Sequence, residues 1–163
     1  MATSVYFLIF PALMAFAACY DACALRITNG LCLVLAGAFI PAAFLAGLSL
    51  ETALLHAACG MAALAFGFIL FANGWIGGGD AKLFGAAALW FGWERVGDFA
   101  AATAIAGGVL AFALLLTRSL AITCFPGSAP ARLVNAELPY GIALACGALL
   151  VYPQSLWVTG LAL

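Results

Sequence analysis

Charged side chains are scarce in this sequence. Asp, Glu, Lys and Arg make up 7% of its 163 residues, whereas they make up about a quarter of an average soluble domain. Hydrophobic residues make up 68%. Because so few polar side chains cannot cover a water-facing surface, we predict an integral membrane protein in contact with lipid, with one polytopic domain over residues 1–163. The net charge of −1 argues against nucleic acid as a partner.

Sets of metal ligands are also missing from the sequence. The six cysteines form no CxxC pair, and the only histidine, His56, has no second ligand beside it. We therefore expect no metal site and no cofactor, and we expect His56 to pack between helices. No Lys or Arg precedes Arg26, so the basic start of a signal peptide is absent and the first apolar segment is predicted to be a retained span.

Apolar runs divide the chain into candidate membrane helices, each of which needs about 20 residues to span a bilayer. The fold predicted from them is an all-α bundle of about six transmembrane helices with a short fourth span. The fourth run is too short to cross alone, so we expect it to begin inside the bundle. The six runs cover residues 4–20, 30–48, 52–73, 81–92, 98–117 and 138–161.

Basic residues alternate between the joints of these spans. If the chain crosses the membrane six times, Arg95 lies on one side of it. The other four basic residues lie on the opposite side: Arg26, Lys82, Arg118 and Arg132. The positive-inside rule makes the side with four basic residues cytoplasmic. We therefore predict a multi-pass protein of the cytoplasmic membrane.

Two of the six acidic residues stand apart from the rest. Asp21 and Asp80 each follow a long apolar run directly, and both belong to cytoplasmic joints in the predicted topology. Two carboxyl groups at one depth can hold a water between them, with one member taking its proton while the other polarises a carbonyl. The plainer alternative is that both anchor span ends at the headgroups. The remaining acidic residues are predicted to be solvated at span ends: Glu51, Glu94, Asp98 and Glu137.

Three glycines, Gly77, Gly78 and Gly79, immediately precede Asp80. Because glycine lacks a β-carbon, another backbone can approach it closely. We expect the glycines to admit an extended substrate backbone beside Asp80, although a simple helix-breaking turn is the alternative. Elsewhere, dense small residues such as "AAATAIAGG", residues 100–108, are interpreted only as surfaces for close helix approach.

Three segments together resemble the type IV prepilin peptidases. "GGGDAKL", residues 77–83, resembles the GxGD motif of that family. "YDACALRITNG", residues 20–30, resembles the segment of the other family aspartate at Asp21, Arg26, Ile27 and Asn29, with Thr28 where proline is usual. "LPYGIALACG", residues 138–147, resembles the Pro-aromatic-Gly start of the last helix of the family.

The resemblance implies an aspartic endopeptidase of the cytoplasmic membrane. Such an enzyme cuts the basic leader from prepilins and pseudopilins at the cytoplasmic face, for pilus assembly or secretion, and needs no cofactor. By the same resemblance, Asp21 and Asp80 are the catalytic pair. The residues that would bind substrate or shape the site are Gly77, Gly78, Gly79, Lys82, Arg26, Asn29, Pro139, Tyr140 and Gly141.

Longer members of the family carry a cytoplasmic domain with paired CxxC motifs, associated with methylation of the new N-terminus. This sequence lacks those motifs, so it resembles the short, peptidase-only members found with Tad/Flp-type pili, and a monomer is compatible with that. Archaeal preflagellin peptidases and presenilin-like GxGD proteases remain neighbouring alternatives. A small proton-coupled transporter is the non-enzymatic alternative, but mid-membrane carboxylates and internal symmetry are not visible.

Overall fold

The computed structural model describes residues 6–124 and 138–159, and within these ranges it contains helices and no strand. Arg132 and Glu137, and the outer ends of the first and last predicted spans, lie outside the described residues. The helices are α1 (Tyr6–Ala24), α2 (Asn29–Leu45), α3 (Leu50–Ala72), α4 (Gly78–Cys124), α5 (Tyr140–Val151), a 3₁₀ turn (Tyr152–Gln154) and α6 (Leu156–Thr159). The predicted all-α class is confirmed.

Two helical stretches are long and apolar enough to cross a membrane, Leu50–Ala72 and Gly78–Leu120. The shorter apolar stretches are Leu8–Ala24, Asn29–Leu45 and Tyr140–Gln154. Large apolar side chains project outward along these helices; Phe44 is 84% exposed and Phe112 is 69% exposed. Such a surface suits lipid rather than water. The protein is therefore a membrane protein, while the count of six spans stays a prediction.

The predicted fourth and fifth spans both lie within α4, which consists of two helical arms joined by a turn at Gly92. This residue alone departs from helical geometry, with φ of 62° and ψ of −176°. Phe99 stacks on Phe84 and on Phe91, at ring distances of 5.2 and 4.9 Å, so the second arm of α4 folds back along the first. The turn lies at residue 92, where the fourth span was predicted to end, and a single glycine at positive φ makes the reversal. Glu94, Arg95 and Asp98 lie in helical residues just after it.

The end of the bundle near this turn is filled by aromatic rings. Trp90 lies 5.2 Å from Phe10 and 5.0 Å from Trp157 between ring centroids, and its indole N–H donates to the Leu35 carbonyl at 3.0 Å. His56 packs in the same cluster, with Nδ1 2.9 Å from the Leu89 oxygen. These contacts join α1, α2, α3, α4 and α6 at this end of the bundle. The two aspartates lie at the opposite end.

Small residues set the distance between α3 and the first arm of α4. A β-carbon added to Gly85 would lie 2.7 Å from the Leu64 β-carbon, and one added to Gly67 would lie 3.1 Å from the Ala81 α-carbon. The two helices can approach this closely only because these positions carry no side chain. The close packing fixes the start of α4 against the end of α3, where Asp80 lies.

This packing predicts a difference between two glycine substitutions. Gly85→Ala should destabilise the protein by about 1–3 kcal/mol, because the backbone at Leu64 must move. Gly37→Ala is the control, since nothing lies within 4 Å of its added β-carbon and alanine is the better helix former. Thermal unfolding in detergent measures both, and equal Tm changes would contradict the close α3–α4 contact.

Candidate active site

The structure brings Asp21 and Asp80 together at one end of the bundle. Asp21 lies in the last two turns of α1, and Asp80 lies in the first turn of α4. Asp21 accepts a hydrogen bond from Gly141, and the adjacent residue, Tyr140, lines the same cavity as Asp80, so both aspartates lie beside the start of α5. A shared site for two acidic groups, expected from their positions in the apolar pattern, is therefore present in the fold.

Asp21 is buried, with 4% of its surface exposed. The backbone N–H of Gly141, at the start of α5, donates to its Oδ2 at 2.7 Å. A β-carbon on Gly141 would lie 2.7 Å from the same oxygen, so only glycine fits here. The carboxyl group thus lies at a helix N-terminus, where free amides and the helix dipole favour an anion.

Asp80 is held by the glycine segment that precedes it. The Gly77 N–H donates to Asp80 Oδ2 at 3.2 Å, and the Ala81 N–H donates to the Gly77 oxygen at 3.1 Å. A β-carbon on Gly77 would lie 2.8 Å from Oδ2. The Asp80 side chain therefore folds back onto the first turn of its own helix.

The other two glycines are packed against the protein itself. A β-carbon on Gly79 would lie 3.0 Å from the Ile27 β-carbon, and one on Gly78 would lie 3.2 Å from the Phe71 ring. On the side that a β-carbon would take, these two glycines pack against Ile27 and Phe71, and the approach of a substrate backbone to the glycines stays a prediction. These two glycines shape the site by letting the α1–α2 connection and the end of α3 approach α4.

The α1–α2 connection is tied to α4 by polar contacts. Lys82 Nζ donates to Asn29 Oδ1 at 2.8 Å. The Thr28 hydroxyl caps α2 by accepting from the Leu31 N–H at 3.3 Å, a role that the sequence reasoning missed although threonine is a favoured N-cap residue. Arg26 is exposed, and across the described ranges no ion pair joins it to either aspartate. Lys82 and Asn29 therefore support the site, whereas Arg26 lies at its edge.

A cavity of about 280 Å³ opens beside Asp80, between α3, both arms of α4 and α5. Three polar side chains line it: Asp80, Tyr140 and Thr103. The Tyr140 ring is placed by Gly107, where a β-carbon would lie 2.8 Å from its Cε2, and Pro139 is the residue at the N-cap of α5. The remaining lining side chains are apolar: Phe66, Leu70, Ile76, Phe84, Ala100, Ala104 and Leu144.

The site thus combines two carboxyl groups with an apolar cavity at the end of a membrane bundle. Two interacting carboxyl groups can serve as general acid and general base toward one water. The cavity offers an apolar side chain or a short extended segment a place beside Asp80. Among the described residues, no cluster of three or more His, Cys, Asp and Glu could hold a metal ion.

The model of the type IV leader peptidase family matches residues 8–126 of the chain. This range includes Asp21, Asp80 and the glycines between α3 and α4, whereas the Pro139–Gly141 segment lies beyond it. No curated protein and no solved structure matches the chain.

The contact between α1 and α5 predicts energetic coupling between Asp21 and Gly141. Gly141→Ala should lower stability by about 1–3 kcal/mol, because the added methyl group occupies the place of the carboxyl oxygen. In an Asp21→Gly background the same substitution should be milder, since the carboxyl oxygen and the Asp21 β-carbon, which would lie 2.9 Å from the added methyl group, are both gone. A double-mutant cycle on Tm in detergent measures the coupling, and additive effects would contradict the contact.

Proposed function

The chain belongs to the type IV leader peptidase family, and we propose that it is an aspartic endopeptidase that removes the leader from prepilins or pseudopilins. Family membership makes it a peptidase. The observation that carries the finer proposal is that Asp21, at the end of α1, and Asp80, at the start of α4, both lie beside the start of α5. We propose these two as the catalytic pair, acting in peptide cleavage alone.

In the proposed reaction, one carboxylate takes a proton from a water while that water attacks the scissile carbonyl carbon. The other carboxyl group, still protonated, gives its proton to the carbonyl oxygen. The tetrahedral intermediate then collapses and the C–N bond breaks. The leaving nitrogen takes the proton that came from the water, and one hydroxyl of the intermediate returns a proton to the second carboxylate. A pair of carboxyl groups sharing one proton is suited to this exchange of roles.

The backbone amides around the pair orient it for this chemistry. The Gly141 N–H bonds Oδ2 of Asp21 and the Gly77 N–H bonds Oδ2 of Asp80. Each bond occupies one oxygen of a carboxyl group and leaves Oδ1 for water or substrate. Two such bonds from fixed main chain hold both groups without ordering any long side chain, which favours a preorganised site.

We propose that this end of the bundle faces the cytoplasm. Lys82 lies here with Asn29, and Arg26 is on the adjoining connection, whereas Arg95 pairs with Asp98 shortly after the Gly92 turn at the other end. A prepilin would then present its cleavage site where the basic leader meets its hydrophobic helix. Anionic headgroups at this surface would attract each leader Lys or Arg by about 1 kcal/mol.

Replacement of either aspartate tests the catalytic pair. Asp21→Asn and Asp80→Asn should each lower leader cleavage at least about a hundredfold, because an amide cannot exchange the required proton. Asp98→Asn is the control, since Asp98 is exposed and pairs with Arg95 at 3.1 Å. Cleavage of a prepilin with a basic leader is followed by gel shift in proteoliposomes. Wild-type rates in either aspartate variant would overturn the pair.

A topology measurement tests the proposed face. A reporter fused after Arg118 should be read as cytoplasmic, and one fused after Leu48 should be read on the opposite side, because the basic residues concentrate at the aspartate end. Alkaline phosphatase and a fluorescent protein give complementary signals. The inverse pattern would place the aspartates on the wrong side for a leader that stays in the cytoplasm.

A further inference from the structure

Lys82 carries a positive charge that no acidic side chain within residues 6–124 and 138–159 pairs with. Its exposed ammonium group donates instead to the neutral Asn29 Oδ1, at 2.8 Å. Asp80, two residues earlier in α4, lines a different cavity from Lys82. Helix α2 begins at Asn29, and a helix N-terminus also favours an anion. The corner formed by Lys82 and Asn29 therefore attracts a negatively charged group.

An apolar cleft of about 480 Å³ runs from this corner between α2, α3 and the first arm of α4. Lys82 and Asn29 are among its lining residues, and Gly85 of α4 keeps it free of a side chain at that position. Leu33 and Met61 line it as well and are 72% and 66% exposed on the surface of the bundle. This first cleft is therefore open to the surrounding lipid.

A second cleft, of about 510 Å³, lies beside the first, between α3 and the start of α4. Lys82, Met61 and Leu64 line both clefts, so the two are neighbours with the Met61 and Leu64 side chains between them. Lys82 is the one polar side chain that lines the second cleft. A single cation thus lies where two apolar clefts of similar volume meet.

The first cleft is long enough for an acyl chain. One leaflet takes up about half of a hydrocarbon core that is about 30 Å thick. The distance from Asn29 to Ala36 along α2 is about 10 Å. Ala36, Ala57 and Leu89 also line a further apolar cleft of about 550 Å³, which extends the same path toward the α2–α3 connection.

We propose that the Lys82 corner and these two clefts bind a diacyl phospholipid with an anionic headgroup. The phosphate lies at Lys82 and the N-terminus of α2, and each cleft holds one acyl chain. A transmembrane helix of a partner fits less well, because a helix is about 10 Å wide and the Met61 and Leu64 side chains divide the space. The lipid site does not depend on the proposed peptidase function.

Native mass spectrometry in detergent tests the headgroup, with phosphatidylglycerol and phosphatidylcholine of the same acyl chains as probes. Wild type should bind phosphatidylglycerol about fivefold more tightly, the contribution of one cation near an anionic lipid. Lys82→Gln removes the charge but keeps a donor for Asn29, and it should lose this preference. Lys82→Arg should retain it. Arg26→Gln is the matched control and should also retain it, because Arg26 is exposed at the same end and lines neither cleft.

A single-chain lipid tests the two clefts. Lysophosphatidylglycerol has the same headgroup and one acyl chain, so wild type should bind it at least about fivefold more weakly than phosphatidylglycerol. Ala65→Phe fills the second cleft and should remove this difference by weakening the binding of the diacyl lipid. Ala62→Phe is the control, since Ala62 is exposed on α3 and lines neither cleft.

Two results would overturn the inference. Equal affinity of the wild type for phosphatidylglycerol and phosphatidylcholine, or equal losses in Lys82→Gln and Arg26→Gln, assigns the lipid to general attraction at the surface. Equal binding of the diacyl and single-chain lipids by wild type removes the two-cleft placement. Each comparison is a ratio of two lipids on one variant, so a general loss of stability cancels. Cleavage is not measured, so neither result bears on the proposed function.

Discussion

The hydrogen bond from the Gly141 amide to the Asp21 carboxyl group joins the end of α1 to the start of α5. A buried carboxyl group in a membrane protein needs such a partner, because the cost of removing it from water is otherwise uncompensated. The bond is short enough to exclude any side chain at residue 141. The placement of α5, and with it Tyr140 and Gly147 around the cavity, follows from this contact.

The two ends of the bundle differ in how completely their groups are paired. Near the Gly92 turn, the Trp90 and Trp157 indoles both donate to backbone carbonyls and the rings interlock. At the aspartate end lie the two carboxyl groups, a Thr103 hydroxyl without a hydrogen-bond partner among the described residues, and Leu25 at a positive φ of 50°. Strained or unpaired groups persist only where the surrounding structure holds them. The aromatic end supplies that support, and the aspartate end is where we propose that the chemistry takes place.

The family could be recognised from short motifs, and the match over residues 8–126 confirms it. The segment around Asp21 and the GxGD segment around Asp80 are local patterns, so neither depended on knowing the fold. A reversal between residues 92 and 98 was predicted, but not that Gly92 alone would make it and that Glu94, Arg95 and Asp98 would already be helical. The position of Thr103 in the cavity wall was not predicted either, because residues 100–108 were interpreted only as a surface for close helix approach.

By itself, the sequence determined that this is an apolar, helical membrane protein of the leader peptidase family with two exceptional aspartates. Composition and contiguous motifs are enough for those conclusions, because they depend on residues that are neighbours in the chain. The tertiary structure decided which distant groups meet: Gly79 against Ile27, Gly141 against Asp21, and Thr103 in the cavity of Asp80. Those contacts depend on how closely helices approach and where they turn. Small residues that look alike in the sequence therefore have different roles in the fold, because different groups pack against them.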